Sequence, residues 1–183
     1  MKEDEAQPKI VVETIIDENN GESSLLRIEG RFTNAQFKKW FSIIEKNVVR
    51  TRPNVNSKAL PRKTAWFTLK GCNCPYGYSG THWEPTEFPR WLEELTNLVS
   101  KEIGGTCEWG CRPNSCNINL YEDGQDHVGW YSDDEILFGR PNIDKVIISL
   151  SLGASRRFQV RRKWDRENVL DRELHSGDII TME

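Results

Sequence analysis

No apolar run in the 183-residue chain is long enough to cross a bilayer. The opening, Met1-Lys2-Glu3-Asp4-Glu5, lacks the apolar centre of an export signal, so no leader is expected. A basic surplus is also missing. Lys and Arg number 25 against 28 Asp and Glu, a net charge of −3. That excludes a globally basic nucleic-acid binder, though not a local basic patch. Histidine is scarce, at three residues. The five cysteines form no even set, and without an export signal they point to a reducing compartment, nucleus or cytoplasm, rather than a disulfide framework. There is no internal repeat and no low-complexity tract. What is present suffices for a real core. It includes seven Trp, which fill interiors rigidly and also offer flat faces for stacking on bases.

Residues 1–24 read as a polar lead-in with one β-branched run, Ile10 to Ile16, and a turn-rich gap from Asp17 to Ser24. Leu25 to Ile28 is a short strand candidate. Thr33 followed by Gln36 fits a capping box, and Phe37, Trp40, Phe41, Ile44 and Val48 then recur at helical spacing. A second helix is expected after Glu87, with Pro89 in its first turn. Leu92, Leu95, Val99 and Ile103 form its apolar stripe, and Gly104-Gly105 ends it.

Residues 51–85 are rich in Pro and Gly, with a short strand over 64–69. From Ser115 onward the pattern is β: 115–121, 146–152, 157–161, 169–174 and 178–182. Within 157–161, Phe158 and Val160 share one face, and Arg157, Gln159 and Arg161 the other. Helices first and short strands afterwards indicate an α+β fold, helices on an antiparallel sandwich or barrel. The last strand starts at Gly177-Asp178 and stops at Glu183. Either it closes the sheet or the chain is a truncated product.

Chemistry concentrates in Asn117 to Glu135, NINLYEDGQDHVGWYSDDE. A strand feeds a turn that presents Asp133, Asp134 and Glu135 together. Such a run is either a solvated loop or a cation site. A second concentration is Arg156, Arg157, Arg161, Arg162, Lys163 and Arg166. This strip either discourages sheet–sheet pairing or tracks phosphates. Arg50, Arg52, Lys58, Arg62 and Lys63 would add to the positive side. Cys72, Cys74, Cys107, Cys111 and Cys116 read as scattered reduced thiols, with a zinc site as the alternative.

Asn119-Leu120-Tyr121, Asp123-Gly124, Asp126-His127-Val128-Gly129 and Ser132-Asp133-Asp134-Glu135 together resemble the core motif of AlkB-like dioxygenases. Val146 to Gly153, Arg156-Arg157-Phe158 and Ser176-Gly177-Asp178 follow in that family's order. Leu60 to Trp66 and Tyr76 to Gly80 resemble the lid segments of its nucleic-acid-acting members. The similarity covers roughly residues 55–183.

The resemblance implies a double-stranded β-helix (jelly roll) with the N-terminal helices packed on one side. It implies a domain over 25–183, a nucleotide-recognition lid over 55–85, and a domain truncated at 183 with incomplete C-terminal strands. The implied activity is oxidative demethylation of alkylated DNA or RNA bases with Fe(II), 2-oxoglutarate and O2, by a monomer with no membrane partner. Asp133 matches the metal-binding carboxylate, and Asn119 and Tyr121 match positions that hydrogen-bond 2-oxoglutarate. Tyr78 matches the residue that stacks on the base, with Trp66 or Phe67 behind it. Arg62, Asp134, Glu135 and Arg156 match the substrate side.

Two departures stand out. The family's first metal position, a His, is Tyr131 here. A neutral phenol is a poor ligand for Fe(II), and a phenolate suits ferric iron. His127 is the nearest histidine, six residues before Asp133. The distal His and the Arg that pairs with 2-oxoglutarate would follow Met182 and do not occur in this sequence. Impaired activity is therefore expected. The alternatives are a non-catalytic nucleic-acid-binding module or a truncated fragment.

Overall fold

The computed structural model describes residues 10–17, 21–55, 57–78, 81–103, 113–132 and 146–182. In chain order its elements are β1 (Ile10–Asp17), β2 (Gly21–Ile28), α1 (Asn34–Asn47), β3 (Asn54–Val55), β4 (Lys58–Ala59), β5 (Lys63–Thr68), β6 (Tyr76–Tyr78) and β7 (Thr81–Trp83). They continue with β8 (Thr86–Glu87), α2 (Arg90–Ile103), β9 (Ser115–Leu120), β10 (Ile147–Leu150), β11 (Arg156–Arg161), β12 (Val169–Leu174) and β13 (Ile179–Met182). Many strands with two helices make an α+β chain, as its pattern predicts. The chain divides into two compact units. One is built from Met1–Glu45, Lys101–Gly110 and Val146–Glu183, the other from Lys46–Ser100 and Cys111–Lys145.

In the first unit, β1 and β2 form an antiparallel hairpin running from Ile10↔Ile28 to Asp17↔Gly21. The β-branched run and part of the turn-rich gap within 1–24 thus form strands. The β-branched residues favour a strand, and the polar stretch Glu22 to Ser24 is held as its ladder partner across the hairpin, a pairing that residue polarity does not reveal. β13 then lies between β2 and β10 in a four-stranded antiparallel sheet. Ile28, Ile179 and Ile180 are fully buried along it.

β11 and β12 form a separate pair. Its Leu174 joins Leu25 and Ile180 in one apolar cluster, with Phe158, Val160, Leu170 and Met182 packed against it. The expected alternation holds for Phe158 and Val160 against exposed Arg157 and Gln159, whereas Arg161 is half-buried.

Helix α1 starts with the reciprocal cap its sequence predicts. The Thr33 N–H donates to Gln36 Oε1 at 2.8 Å, and the Gln36 N–H donates to Thr33 Oγ1 at 3.3 Å. Trp40 and Val48 of the stripe are buried, but Phe41 is 39% exposed. The reason is specific. Phe37 and Phe41 lie against Gly177 and Gly153, both at φ +95°, where an added Cβ would meet the rings at 3.0 and 3.1 Å. The ring edges thus rest on two turns rather than in the interior.

In the second unit, β5 is central, antiparallel to β9 and parallel to β8. Leu92, Leu95 and Val99 of α2 are buried as the spacing predicts. Phe67 of β5 is buried and meets Trp91 edge-on, with centroids 6.4 Å apart. The cysteines depart from the expectation of scattered thiols. Cys72 and Cys74 are joined in a disulfide with Cα atoms 5.6 Å apart, because the turn after β5 brings them together. Cys116 is the free cysteine among the described residues. Cys107 and Cys111 lie outside them.

Candidate functional site

The antiparallel register sets Thr64 opposite Asn119 and Trp66 opposite Asn117. Residues two apart share a strand face, so Thr64, Trp66, Asn117 and Asn119 lie on one side of the β5–β9 pair. Thr64 Oγ1 donates to Asn117 Oδ1 at 2.6 Å. Arg62, just before β5, is buried and donates Nε–H to Asn119 Oδ1 at 3.1 Å. With its oxygen engaged, the Asn119 amide turns its N–H donors the other way, the polarity a carboxylate needs. Tyr121, two residues on, is half-buried. Arg62 is therefore an inward-facing residue of this face. A buried guanidinium bonded to a neighbouring amide is not offered to solvent.

After β9 the chain turns through 122–127, and this turn is anchored by charge. Arg52 holds the buried Asp126 through two bonds of 2.7 Å, one to each carboxylate oxygen, and reaches Glu122 at 3.0 Å. Arg52 also donates to the Leu60 carbonyl at 3.0 Å. Lys63 meets Glu122 at 2.7 Å. Lys63 first, then Arg52, hold the Glu122 carboxyl below its usual range. The Asp126 carboxylate accepts the Glu122 N–H at 2.9 Å, and Asp123 Oδ1 accepts the N–H groups of Gln125 and Asp126. The His127 N–H donates to the Pro61 carbonyl at 2.7 Å.

Arg52 and Lys63 are thus engaged within the fold rather than supplying a basic surface. The Arg52–Asp126 pair went unrecognised in the sequence because its partners are 74 positions apart. The only local signal was an Asp closing the motif's turn.

The anchored turn leads to Trp130 and Tyr131, which are 48% and 53% exposed. Asp133, Asp134 and Glu135 lie outside the described residues. Among the described residues, no three His, Cys, Asp or Glu side chains cluster as a metal site. His127 Nδ1 lies 2.7 Å from the Gln125 carbonyl, and His175 Nδ1 lies 2.7 Å from Ser155 Oγ. An amide N–H at Asn119 is a donor that suits a carboxylate, whereas a neutral phenol such as Tyr131 is a poor ligand for ferrous iron.

Trp66 of β5 is buried, stacks on Tyr76 at 5.0 Å, and donates its indole N–H to the Cys74 carbonyl at 2.9 Å. Tyr76 in turn meets Trp83 at 5.6 Å. Tyr78 closes β6, paired with Thr81 of β7. Phe67 faces α2, on the other side of β5 from Trp66.

In the first unit, Arg157 pairs with Asp171 and holds that carboxyl below its usual range, while Arg156 is half-buried. Lys163, Trp164 and Arg166 are exposed in the turn between β11 and β12. The Gly177-Asp178 turn is built into the core. Asp178 is buried, lies 2.5 Å from Arg27 and accepts the His175 N–H at 2.8 Å.

The chain matches the profile of the 2OG-Fe(II) oxygenase superfamily over residues 27–183. It is 41% identical over 106 residues to the human alpha-ketoglutarate-dependent dioxygenase alkB homolog 3, covering 56% of this chain and 32% of that protein. It is 36% identical over 118 residues to the bovine DNA oxidative demethylase ALKBH2, covering 63% of this chain and 38% of that protein. The matches span about a third of the length of these two relatives.

Proposed function

Since this chain is an AlkB-like member of the 2OG-Fe(II) oxygenase superfamily, we propose that it is a dioxygenase domain for oxidative demethylation of alkylated DNA or RNA bases. The observation that carries this reading is the family match over 27–183. Fe(II) and 2-oxoglutarate are the cofactors the family implies, and they supply its oxidising chemistry. On this reading the domain runs over 25–183 as a jelly roll with its helices on one side, and 55–85 is its nucleotide-recognition lid. It acts as a monomer in the nucleus or cytoplasm.

Asn119 and Tyr121 hold 2-oxoglutarate, and Arg62 acts behind Asn119, fixing which end of the amide faces the carboxylate. Asp133 is the metal carboxylate. Tyr78 stacks on the base with Trp66 or Phe67 behind it, Asp134 and Glu135 approach the base edge, and Arg156 with its basic neighbours follows the phosphates. Tyr131 occupies the first metal position and weakens the site. A phenol does not suit Fe(II).

The test uses a single-stranded oligonucleotide carrying one methylated base, with Fe(II) and 2-oxoglutarate. Restored base and succinate are measured for the protein and for Tyr131→His. The variant is expected to bind Fe(II) at least about tenfold more tightly and to turn over faster. Equal activity in both proteins would remove the argument from Tyr131. Nucleic-acid binding without turnover in either would favour the non-catalytic reading.

A further inference from the structure

Cys72 and Cys74 are bonded to one another in the segment between β5 and β6, and both residues are half-buried, within reach of small solutes. Their backbones also work. The Cys72 carbonyl accepts the Thr68 hydroxyl at 2.7 Å, and the Cys74 carbonyl accepts the Trp66 indole N–H at 2.9 Å. Thr68 and Trp66 are buried residues of β5, so the two carbonyls tie this segment to the strand.

Immediately beyond, Trp66, Tyr76 and Trp83 form the aromatic row that underlies the β6–β7 pair. That pair is three residues long on each strand, too short to be stable alone. Trp83 Nε1 is buried without an acceptor among the described residues, so the Trp66–Cys74 bond is the indole anchor of the row. A covalent link between the two carbonyl-bearing residues thus bears directly on the order of β6 and β7.

The bond closes a ring around a single residue, Asn73. Loop-closure stabilisation is smallest for the shortest loops, so this disulfide gains little from chain entropy and is open to reduction. Once opened, its thiols remain neighbours and can close again. Cys116 does not compete. Burial pushes its thiol up to about 12, so it stays protonated at neutral pH, whereas the attacking species in exchange is the thiolate.

We infer that Cys72 and Cys74 form a redox-active site that undergoes thiol–disulfide exchange with small dithiols, its state setting the order of the β6–β7 pair. A thiolate of the dithiol attacks one cysteine sulfur. The S–S bond breaks with its electron pair on the other sulfur, which takes a proton. The second thiol of the reagent then closes on the mixed disulfide and releases the first cysteine as a thiol. The protein gains two electrons and two protons, and the dithiol is oxidised to its cyclic disulfide.

The test uses the whole chain, with dithiothreitol as the probe. Thiols are mapped by alkylation and peptide mass spectrometry before and after reduction. Hydrogen exchange is followed at the Trp66 indole N–H and at the β6 and β7 amides. The Cys72–Cys74 bond is expected before reduction, with both thiols labelled afterwards and Cys116 untouched in the folded protein. Exchange should quicken about five- to tenfold on reduction, and to the same extent in the Cys72→Ser/Cys74→Ser double variant. Reoxidation should restore protection in the wild type alone. Free thiols at both positions before reduction, or a bond from either to Cys107 or Cys111, would overturn the inference. So would exchange that is identical in the oxidised, reduced and double-variant proteins; the wild-type titration alone decides this if the variant does not fold.

Discussion

Glu122 is exposed, yet it takes Lys63 and Arg52 together, and its neighbour Asp126 takes both arms of the same Arg52. The consequence is a dependence on acid. The folded Glu122 carboxyl titrates below its unfolded value, through Lys63 first and Arg52 second. Asp171 does the same through Arg157. For a depressed carboxyl, the stabilising contribution is complete above the unfolded pKa and is lost as pH falls through the folded one. Stability should therefore decline between about pH 5 and pH 3. Lys63→Met should flatten that decline, measured as urea midpoints across the range. A Lys63→Met profile parallel to the wild type would show that Lys63 does not set the Glu122 titration. At this scale the sequence was informative about residue types and poor about partners. The motif singles out Asn119, but not the Arg62 that bonds it across 57 positions. Burial of a charged residue depends on the register of β5 against β9, which no local pattern encodes.

Helix α1 shows what an element can reveal and what it hides. Its start was legible because a capping box is a contact three residues long, written entirely within Thr33 and Gln36. The environment of Phe37 and Phe41 was not, because their partners are glycines more than a hundred positions away. The two features predict different costs. Thr33→Ala should lose about 1 kcal/mol, the loss of one cap. Gly177→Ala should lose more, about 2 kcal/mol, since it combines a left-handed φ with a Cβ meeting the Phe37 ring at 3.0 Å. Chemical denaturation of the two variants checks the order. If Gly177→Ala proves the milder change, the turn is not held at the conformation described. The strands follow the same logic. Alternation along 157–161 and the apolar stripe of α2 were readable, whereas the ladder pairing Glu22–Ser24 with β1 was not, being decided by the partner strand.

For the molecule as a whole, net charge −3 is compatible with the proposed nucleic-acid partner only if cations are segregated. Several candidate cations are engaged inside the second unit. The β11–β12 turn, with exposed Lys163 and Arg166, remains as a carrier of positive charge in the first. Binding of a single strand should then fall with salt, with a slope in log–log form of about −2, corresponding to roughly three phosphates. A flat dependence would remove phosphate contacts from the proposed function. The α+β class was legible from the order of segments, but the partition into two units was not. It depends on which distant segments meet.

That partition bears on how the polypeptide is made. Arg27 and Asp178, bonded across the join of β2 and β13, are 151 positions apart. At synthesis rates of about 5–20 residues per second, β2 leaves the ribosome roughly 8 to 30 seconds before the strand that covers it. Throughout that interval the hairpin offers an unpaired edge and the uncovered side chain of Ile28, while most of the second unit emerges in between. Folding of the first unit therefore waits until β13 has been made. The nascent hairpin is the stage at which a chaperone has something to hold.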